Sequence, residues 1–202
     1  MIVKYCGIQR EEDIDVLNRC HPDLAGVILV PDRRRYIRPE KVMELRRKLD
    51  PTISVVGVFV NEEIKVVQDL LDRGIIDVVQ LHGQETEEYI RELKAGTDAK
   101  IIKAFGIRSE EDCERAERSS ADLVLLDSPG GGTGETFNWT LLQKIKRPYI
   151  LAGGLNCSNI EEAIRVLHPY GVDVSSGIET DGRKDEKKMQ DFMDLARKGQ
   201  IL

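Results

Sequence analysis

Several polar and reactive groups in this sequence stand just past short apolar runs. Cys6 follows the run 2–5, His82 follows 77–81, and Asp127 follows 122–126. Arg35 comes after the run 26–30, Gly153 and Gly154 after 149–152, and Ser175, Ser176 and Gly177 after 171–174. Thiol, imidazole, guanidinium and carboxyl groups at the ends of different runs are the kinds of group that carry chemistry. Glycine lets the backbone approach an anion closely, so that successive N–H groups face phosphate oxygens. Gly153-Gly154 and Ser176-Gly177 therefore read as a phosphate grip. Each group has a plainer reading when taken alone. A free cysteine is more often a small buried hydrophobe. Asp127 could turn the chain before Ser128-Pro129-Gly130, His82 could be a satisfied core histidine, and Arg33-Arg34-Arg35 could be a solvated charge run.

The elements that must position these groups come from the apolar pattern. Runs at 2–5, 26–30, 53–60, 77–81, 100–105, 122–126, 149–152 and 171–174 are mostly rich in β-branched residues and lack strict polar alternation. Strands of a parallel sheet, buried on both faces, read this way. Amphipathic helical stretches lie between them at 40–49, 62–71, 89–93, 160–167 and 189–196. Asn61, Ser109 and Asn159 precede acidic residues as helix N-caps do. Gly74, Gly96 and Gly199 follow helical runs as C-terminal stops do. Eight strands alternating with about eight helices predict an α/β protein, a closed (β/α)8 TIM barrel of eight parallel strands with minimal loops. An open doubly wound sheet fits the same strand count. In the barrel, loops at the C-terminal strand ends build the site, and those after strands seven and eight commonly hold phosphate.

The chain of 202 residues suits one domain over 1–202 and is short for such a barrel, which typically takes about 250 residues. A hydrophobic fraction of 41% is enough for a core, and a net charge of −6 gives no reason to expect nucleic acid as a partner. The four cysteines, Cys6, Cys20, Cys113 and Cys157, show no C-x-x-C spacing, so neither a metal site nor a redox pair is expected. Free thiols with no signal peptide and no long apolar stretch predict a cytoplasmic protein without membrane contact.

Taken together, the segments resemble the phosphoribosylanthranilate isomerase family over nearly the whole chain. The resemblance rests on Lys4-Tyr5-Cys6-Gly7-Ile8, Val79-Gln80-Leu81-His82-Gly83 and Leu126-Asp127-Ser128. It continues with Gly131-Gly132-Thr133-Gly134 through Phe137-Asn138-Trp139, and with Leu151-Ala152-Gly153-Gly154-Leu155. Its last stretch is Val172-Asp173-Val174-Ser175-Ser176-Gly177-Ile178-Glu179, followed by Gly182 and Lys184-Asp185. Two segments depart from the usual pattern. Asp32-Arg33-Arg34-Arg35 stands where the family commonly has Lys-Ser-Pro-Arg or Lys-Ser-Lys-Arg, and Asn138 replaces an aspartate expected to cap the next helix.

The resemblance implies an Amadori rearrangement of a phosphorylated aminosugar, without cofactor, and the sequence leaves both a monomer and a homodimer open. The resemblance makes Cys6 the general base and Asp127 the general acid. It gives Arg35 the anthranilate carboxylate, although the run of three arginines leaves that choice open. The phosphate falls to Gly153, Gly154, Ser176 and Gly177, while His82 and Asp173 line the site. A histidine-pathway aminosugar isomerase would show two half-barrel repeats, each with an aspartate, and no matching second half is found. A purely phosphate-binding barrel would need no reactive pair. The working form is a thiolate with a protonated carboxyl, the reverse of the default. With ordinary reference values, that combination holds for only about 10⁻⁵ to 10⁻⁴ of molecules at pH 7. The surroundings are therefore expected to favour the neutral carboxyl by desolvation, and the thiolate by positive charge or N–H donors.

Overall fold

Eight parallel strands hydrogen-bond in sequence order, and the last returns to the first. A computed structural model describes residues 1–127, 139–142 and 145–199. The strands are β1 (Ile2–Cys6), β2 (Leu24–Ile28), β3 (Ser54–Phe59), β4 (Val78–Leu81), β5 (Lys100–Gly106), β6 (Leu123–Asp127), β7 (Tyr149–Leu151) and β8 (Gly171–Val174). The closing seam pairs Ile2 with Gly171 and Tyr5 with Val174, which decides for the barrel over the open sheet. Around the outside run α1 (Glu11–Cys20), α2 (Pro39–Arg46), α3 (Ile64–Asp72), α4 (Glu87–Ala95), α5 (Glu110–Arg118), α6 (Ile160–Leu167) and α7 (Glu186–Lys198). A short hairpin, β9 (Glu179–Thr180) with β10 (Arg183–Lys184), is inserted before α7. Of the connection from β6 to β7, only 139–142 and the approach to β7 are described, and 139–142 form turns. The glycine-rich stretch Gly131 to Gly134 and the cap Asn138 lie outside the described residues.

Alternation along each strand divides the core in two. On β1, Val3 and Tyr5 face the helices, and the Tyr5 hydroxyl donates to the Met189 carbonyl of α7 at 2.6 Å. Residues of the other parity face inward. Leu24, Val56, Ile102, Leu125 and Ile150 form an apolar plug inside the barrel. Beside this plug the interior turns polar, with Lys4, Gln80 and Asp173 all buried.

Several local expectations need correction. The second strand starts and ends two residues before the predicted run 26–30, because Leu24 already pairs with Lys4 of β1 and Ser54 of β3. Asn61 does not cap α3. Its backbone is left-handed, with φ 52°, and its side chain accepts from Gln84 N–H, tying the loop after β3 to the loop after β4. Asn159 stands at the N-cap of α6, but its side chain is spent on Asn156 N–H and the Gly154 carbonyl. Ser109 caps α5 as expected, in a capping box with Asp112. Among the three glycine stops only Gly74 is left-handed.

Candidate active site

The polar strand ends converge on one cavity of about 570 Å³ at the C-terminal mouth of the barrel. Cys6, Arg35, His82, Asp127, Gly153, Gly154, Asp173 and Ser176 all line it. A larger concavity of about 1140 Å³ opens at the opposite end, around Met1, Pro148 and Tyr170. It carries no comparable set of a thiol, carboxyls and glycine loops, so the smaller cavity is the one equipped for chemistry.

Cys6 ends β1 with its side chain directed inward, and Lys4 is on the same face two residues earlier. The fully buried Lys4 ammonium donates to Asp173 Oδ1 at 2.9 Å and its charge acts on the neighbouring Cys6 sulfur. Room for this trio comes from Gly26 on the neighbouring strand. A Cβ there would lie 2.9 Å from Cys6 Sγ and 3.0 Å from Lys4 Nζ. Burial disfavours the charge on Lys4, but Asp173 and Cys6 outweigh it and push the lysine pKa up. Burial pushes the Cys6 thiol up, and the Asp173 charge acts in the same direction. Lys4 and Lys184 oppose this without outweighing it. The expected positive charge is thus beside Cys6, but the net direction is upward rather than downward.

Asp127 ends β6 half-buried, with His82 Nε2 at 3.5 Å from its Oδ2. That separation is an ion-pair distance if the imidazole is protonated, and is too long for a good hydrogen bond. The other imidazole nitrogen, Nδ1, is 3.1 Å from Gln80 Nε2. Gln80 Oε1 is buried and has no hydrogen-bond partner among the described residues.

At the rim of the cavity, Arg33 and Arg34 are exposed, whereas the Arg35 side chain is 22% exposed. Arg35 Nε and Nη2 donate to the two oxygens of Glu179 at 2.7 and 2.8 Å. Burial alone would push the Glu179 carboxyl up, but Arg35 and Lys184 hold it down at about 2. On the other side, Gly153 and Gly154 are both left-handed, with φ 87° and 66°. Two successive residues of that kind are unstrained only as glycine. Gly177 has a different reason to be glycine. A Cβ there would lie 1.9 Å from the Leu155 carbonyl oxygen, so it lets the loop after β8 close against the loop after β7.

A model of the N-(5'-phosphoribosyl)anthranilate (PRA) isomerase family matches residues 3–195. The N-(5'-phosphoribosyl)anthranilate isomerase of Clostridium acetobutylicum is 45% identical, over 97% of this chain and 98% of its own. The chain belongs to the phosphoribosylanthranilate isomerase family. It is thereby an isomerase of tryptophan biosynthesis on a (β/α)8 barrel. The crystal structure of the Thermotoga maritima phosphoribosylanthranilate isomerase superposes with a TM-score of 0.90 at 37% identity, covering 98% of this chain and all of that one (100%). Another structure, at TM-score 0.87 and 36% identity over 98% and 100%, is a complex of a phosphoribosylanthranilate isomerase with reduced 1-(o-carboxyphenylamino)-1-deoxyribulose 5-phosphate.

The site residues named from the family motifs therefore meet around one cavity, with Gly177 behind its wall at the junction of two loops. Lys4, Gln80, Glu179 and Lys184 are neighbours of these residues that sequence reasoning left without roles. A signal for the first two was present. Lys4 and Gln80 are polar residues in otherwise apolar strands, spaced two residues from Cys6 and His82, and period two puts each pair on one face. Glu179 and Lys184 sit in a hairpin whose fold back over Arg35 has no local signature.

Proposed function

We propose that this chain converts N-(5-phosphoribosyl)anthranilate into 1-(2-carboxyphenylamino)-1-deoxyribulose 5-phosphate, with Asp127 as general acid and Cys6 as general base. The observation that carries this reading is a single cavity shared by a thiol and a carboxyl from strands separated by β7 and β8, with an arginine and glycine loops around it. Asp127 protonates the furanose ring oxygen as the C1–O bond breaks, and the substrate nitrogen takes up the electron deficiency as an iminium. Cys6 removes the proton from C2, giving an enolamine that relaxes to the ketone. The substrate's own nitrogen is the electron sink, so this chemistry calls for no cofactor. Arg35 holds the aryl carboxylate by a charge-assisted contact. The loops of Gly153, Gly154, Ser176 and Gly177 hold the phosphate. Asp173 anchors Lys4 beside the base, and His82 neighbours the acid.

In the same reading the chain is one barrel domain working in the cytoplasm, as a monomer or a homodimer. The Thermotoga maritima relative is described as dimeric. Among the described residues, no helix is long and apolar enough to cross a membrane.

The test is turnover of the anthranilate sugar, followed by the loss of substrate fluorescence. Asp127→Asn keeps the shape without the acidic proton. It is expected to turn over at least about a hundredfold more slowly, within the range of general acid catalysis, yet bind the reduced product analogue nearly as well as the parent. Retained turnover removes Asp127 as the acid. Loss of turnover and analogue binding together assigns it a structural role instead.

A further inference from the structure

The family match at strand eight runs on past the phosphate loop into Glu179, Gly182 and Lys184, and none of these has a part in the reaction as written above. They belong to the β9–β10 hairpin. The Glu179 side chain is only 6% exposed, yet it accepts from three cationic groups. Its Oε1 takes Arg35 Nε at 2.7 Å and Lys184 Nζ at 3.0 Å. Its Oε2 takes Arg35 Nη2 at 2.8 Å and Arg34 Nη2 at 2.7 Å. Lys184 also donates to the Ser175 carbonyl at 2.9 Å, so the cluster is tied to the end of β8.

A guanidinium presents two planar forks of donors. One is Nε with Nη2, and the other is the pair of terminal nitrogens. Glu179 occupies the first. Arg35 Nη1 has no hydrogen-bond partner among the described residues, and the side chain lines the cavity. A carboxylate arriving in the cavity would therefore meet the second fork. An unrestrained arginine has to be ordered when it binds, which costs affinity. Here the ordering is already in place, from Glu179 on one side and from Gly7 on the other. A Cβ at Gly7 would lie 2.5 Å from Arg35 Cδ, so the stem of the arginine is laid directly on that glycine.

We propose that Glu179 is a positioning residue that presents the free fork of Arg35 to the aryl carboxylate of the substrate, an inference that rests on the reading of Arg35 as the carboxylate grip. Two consequences of the Glu179 charge oppose one another. It subtracts from the attraction of Arg35 for an anion, and it fixes the guanidinium in place. Arg34 and Lys184 contact the same carboxylate, so the cluster stays cationic with Glu179 ionised, and the fixing effect dominates.

The experiment compares dissociation constants for two ligands, the reduced product analogue and the same compound without its aryl carboxyl. The parent enzyme should prefer the carboxylated ligand, and Arg35→Ala should abolish that preference. Glu179→Gln should cut the preference roughly tenfold while leaving the carboxyl-free ligand within about twofold of the parent value. In turnover its KM should rise by a larger factor than its kcat falls. Undiminished preference, or tighter binding of the carboxylated ligand, overturns the proposal and leaves Arg35 in its role. Equal weakening of both ligands also overturns it, since that is the mark of a general structural part. If Arg35→Ala keeps the preference, the reading of Arg35 falls and this proposal falls with it. Should Glu179→Gln not fold, the double variant Glu179→Gln with Lys184→Gln removes the buried lysine left without its partner, and is read in the same way.

Discussion

At the scale of single residues, the base proposed for this reaction is a buried thiol with a lysine two residues before it on the same strand face. Burial pushes Cys6 up, with Lys4 and Lys184 working against that direction. The thiolate is the charged form, so a raised pKa makes it scarcer at neutral pH and more basic once formed. The rising limb of kcat/KM against pH should therefore lie above the ordinary thiol range. Removing the lysine takes away a cation that favours the thiolate, so the limb should move to still higher pH. Lys4→Met alone would strand Asp173 as a buried charge, a defect that costs about 3–5 kcal/mol. The double variant Lys4→Met with Asp173→Asn avoids this. Asp173 raises the thiol but is a smaller influence than Lys4, so its removal trims the upward movement without reversing it. The pH profile is the measurement, and a limb that falls would remove Lys4 from this role. Among the arginines, Arg35→Ala should raise KM more than Arg33→Ala or Arg34→Ala, because only Arg35 combines partial burial with a place on the cavity wall. Steady-state kinetics of the three variants decide it, and three equal effects would mean a diffuse cationic patch.

Elements meet in this site through glycines, and two of them make opposite demands on the reaction. Gly26 on β2 leaves room for the Cys6 sulfur and the Lys4 ammonium on β1. Gly26→Ala would force that pair to shift inside a packed barrel. A misplacement of about 1 Å can cost roughly a hundredfold in rate. The variant should thus lose kcat by at least about tenfold, with a circular dichroism spectrum like that of the parent. In the proposed reading, Gly177 bears on binding instead. It lets the turn after β8 pack against the Leu155 carbonyl in the loop after β7, and a methyl group there would push apart the two loops proposed to hold the phosphate. Gly177→Ala should weaken the reduced product analogue by about tenfold or more while keeping the preference for its aryl carboxyl. Analogue affinity at the parent level in a folded Gly177→Ala protein would refute this account of the phosphate grip.

For the molecule as a whole, the Glu179 cluster joins the loop after β2, the end of β8 and the hairpin before α7, so it should matter to stability as well as to binding. The Glu179 carboxyl is held at about 2, below its ordinary value of 4.5. Between those values the unfolded chain binds more protons than the folded one, so stability rises with pH across that window. The contribution is fully present above about pH 4.5 and is lost as pH falls through about 2. At about 1.4 kcal/mol per pH unit, the span from 4.5 to about 2 amounts to about 3.5 kcal/mol. Urea denaturation at pH 7, 4 and 3 should show the parent losing more stability on acidification than Glu179→Gln does. Parallel losses in the two proteins would mean that this carboxylate is not held down in the folded state.

The sequence by itself determined where the strands fall along the chain and which residues stand at their ends. Continuous apolar runs and the placement of glycines are local properties, and short runs such as 171–174 are bounded sharply by their neighbours. It also carried the family motifs, because the chemistry concentrates in contiguous stretches such as Lys4 to Ile8 and Val79 to Gly83. Helix α1 was less legible, since only Ile14, Val16 and Leu17 mark its apolar face among many charges. Tertiary structure alone decided closure, because the bonds between β1 and β8 join residues near opposite ends of the chain. It also decided that Lys4 meets Asp173, 169 residues away in sequence, and that Glu179 folds back onto Arg35 across 144. Such pairings depend on where a strand end or a hairpin comes to rest in space. The direction of the shift on Cys6 is settled the same way, since burial and Asp173 of β8 are balanced against Lys4 on the same strand and Lys184 of the hairpin.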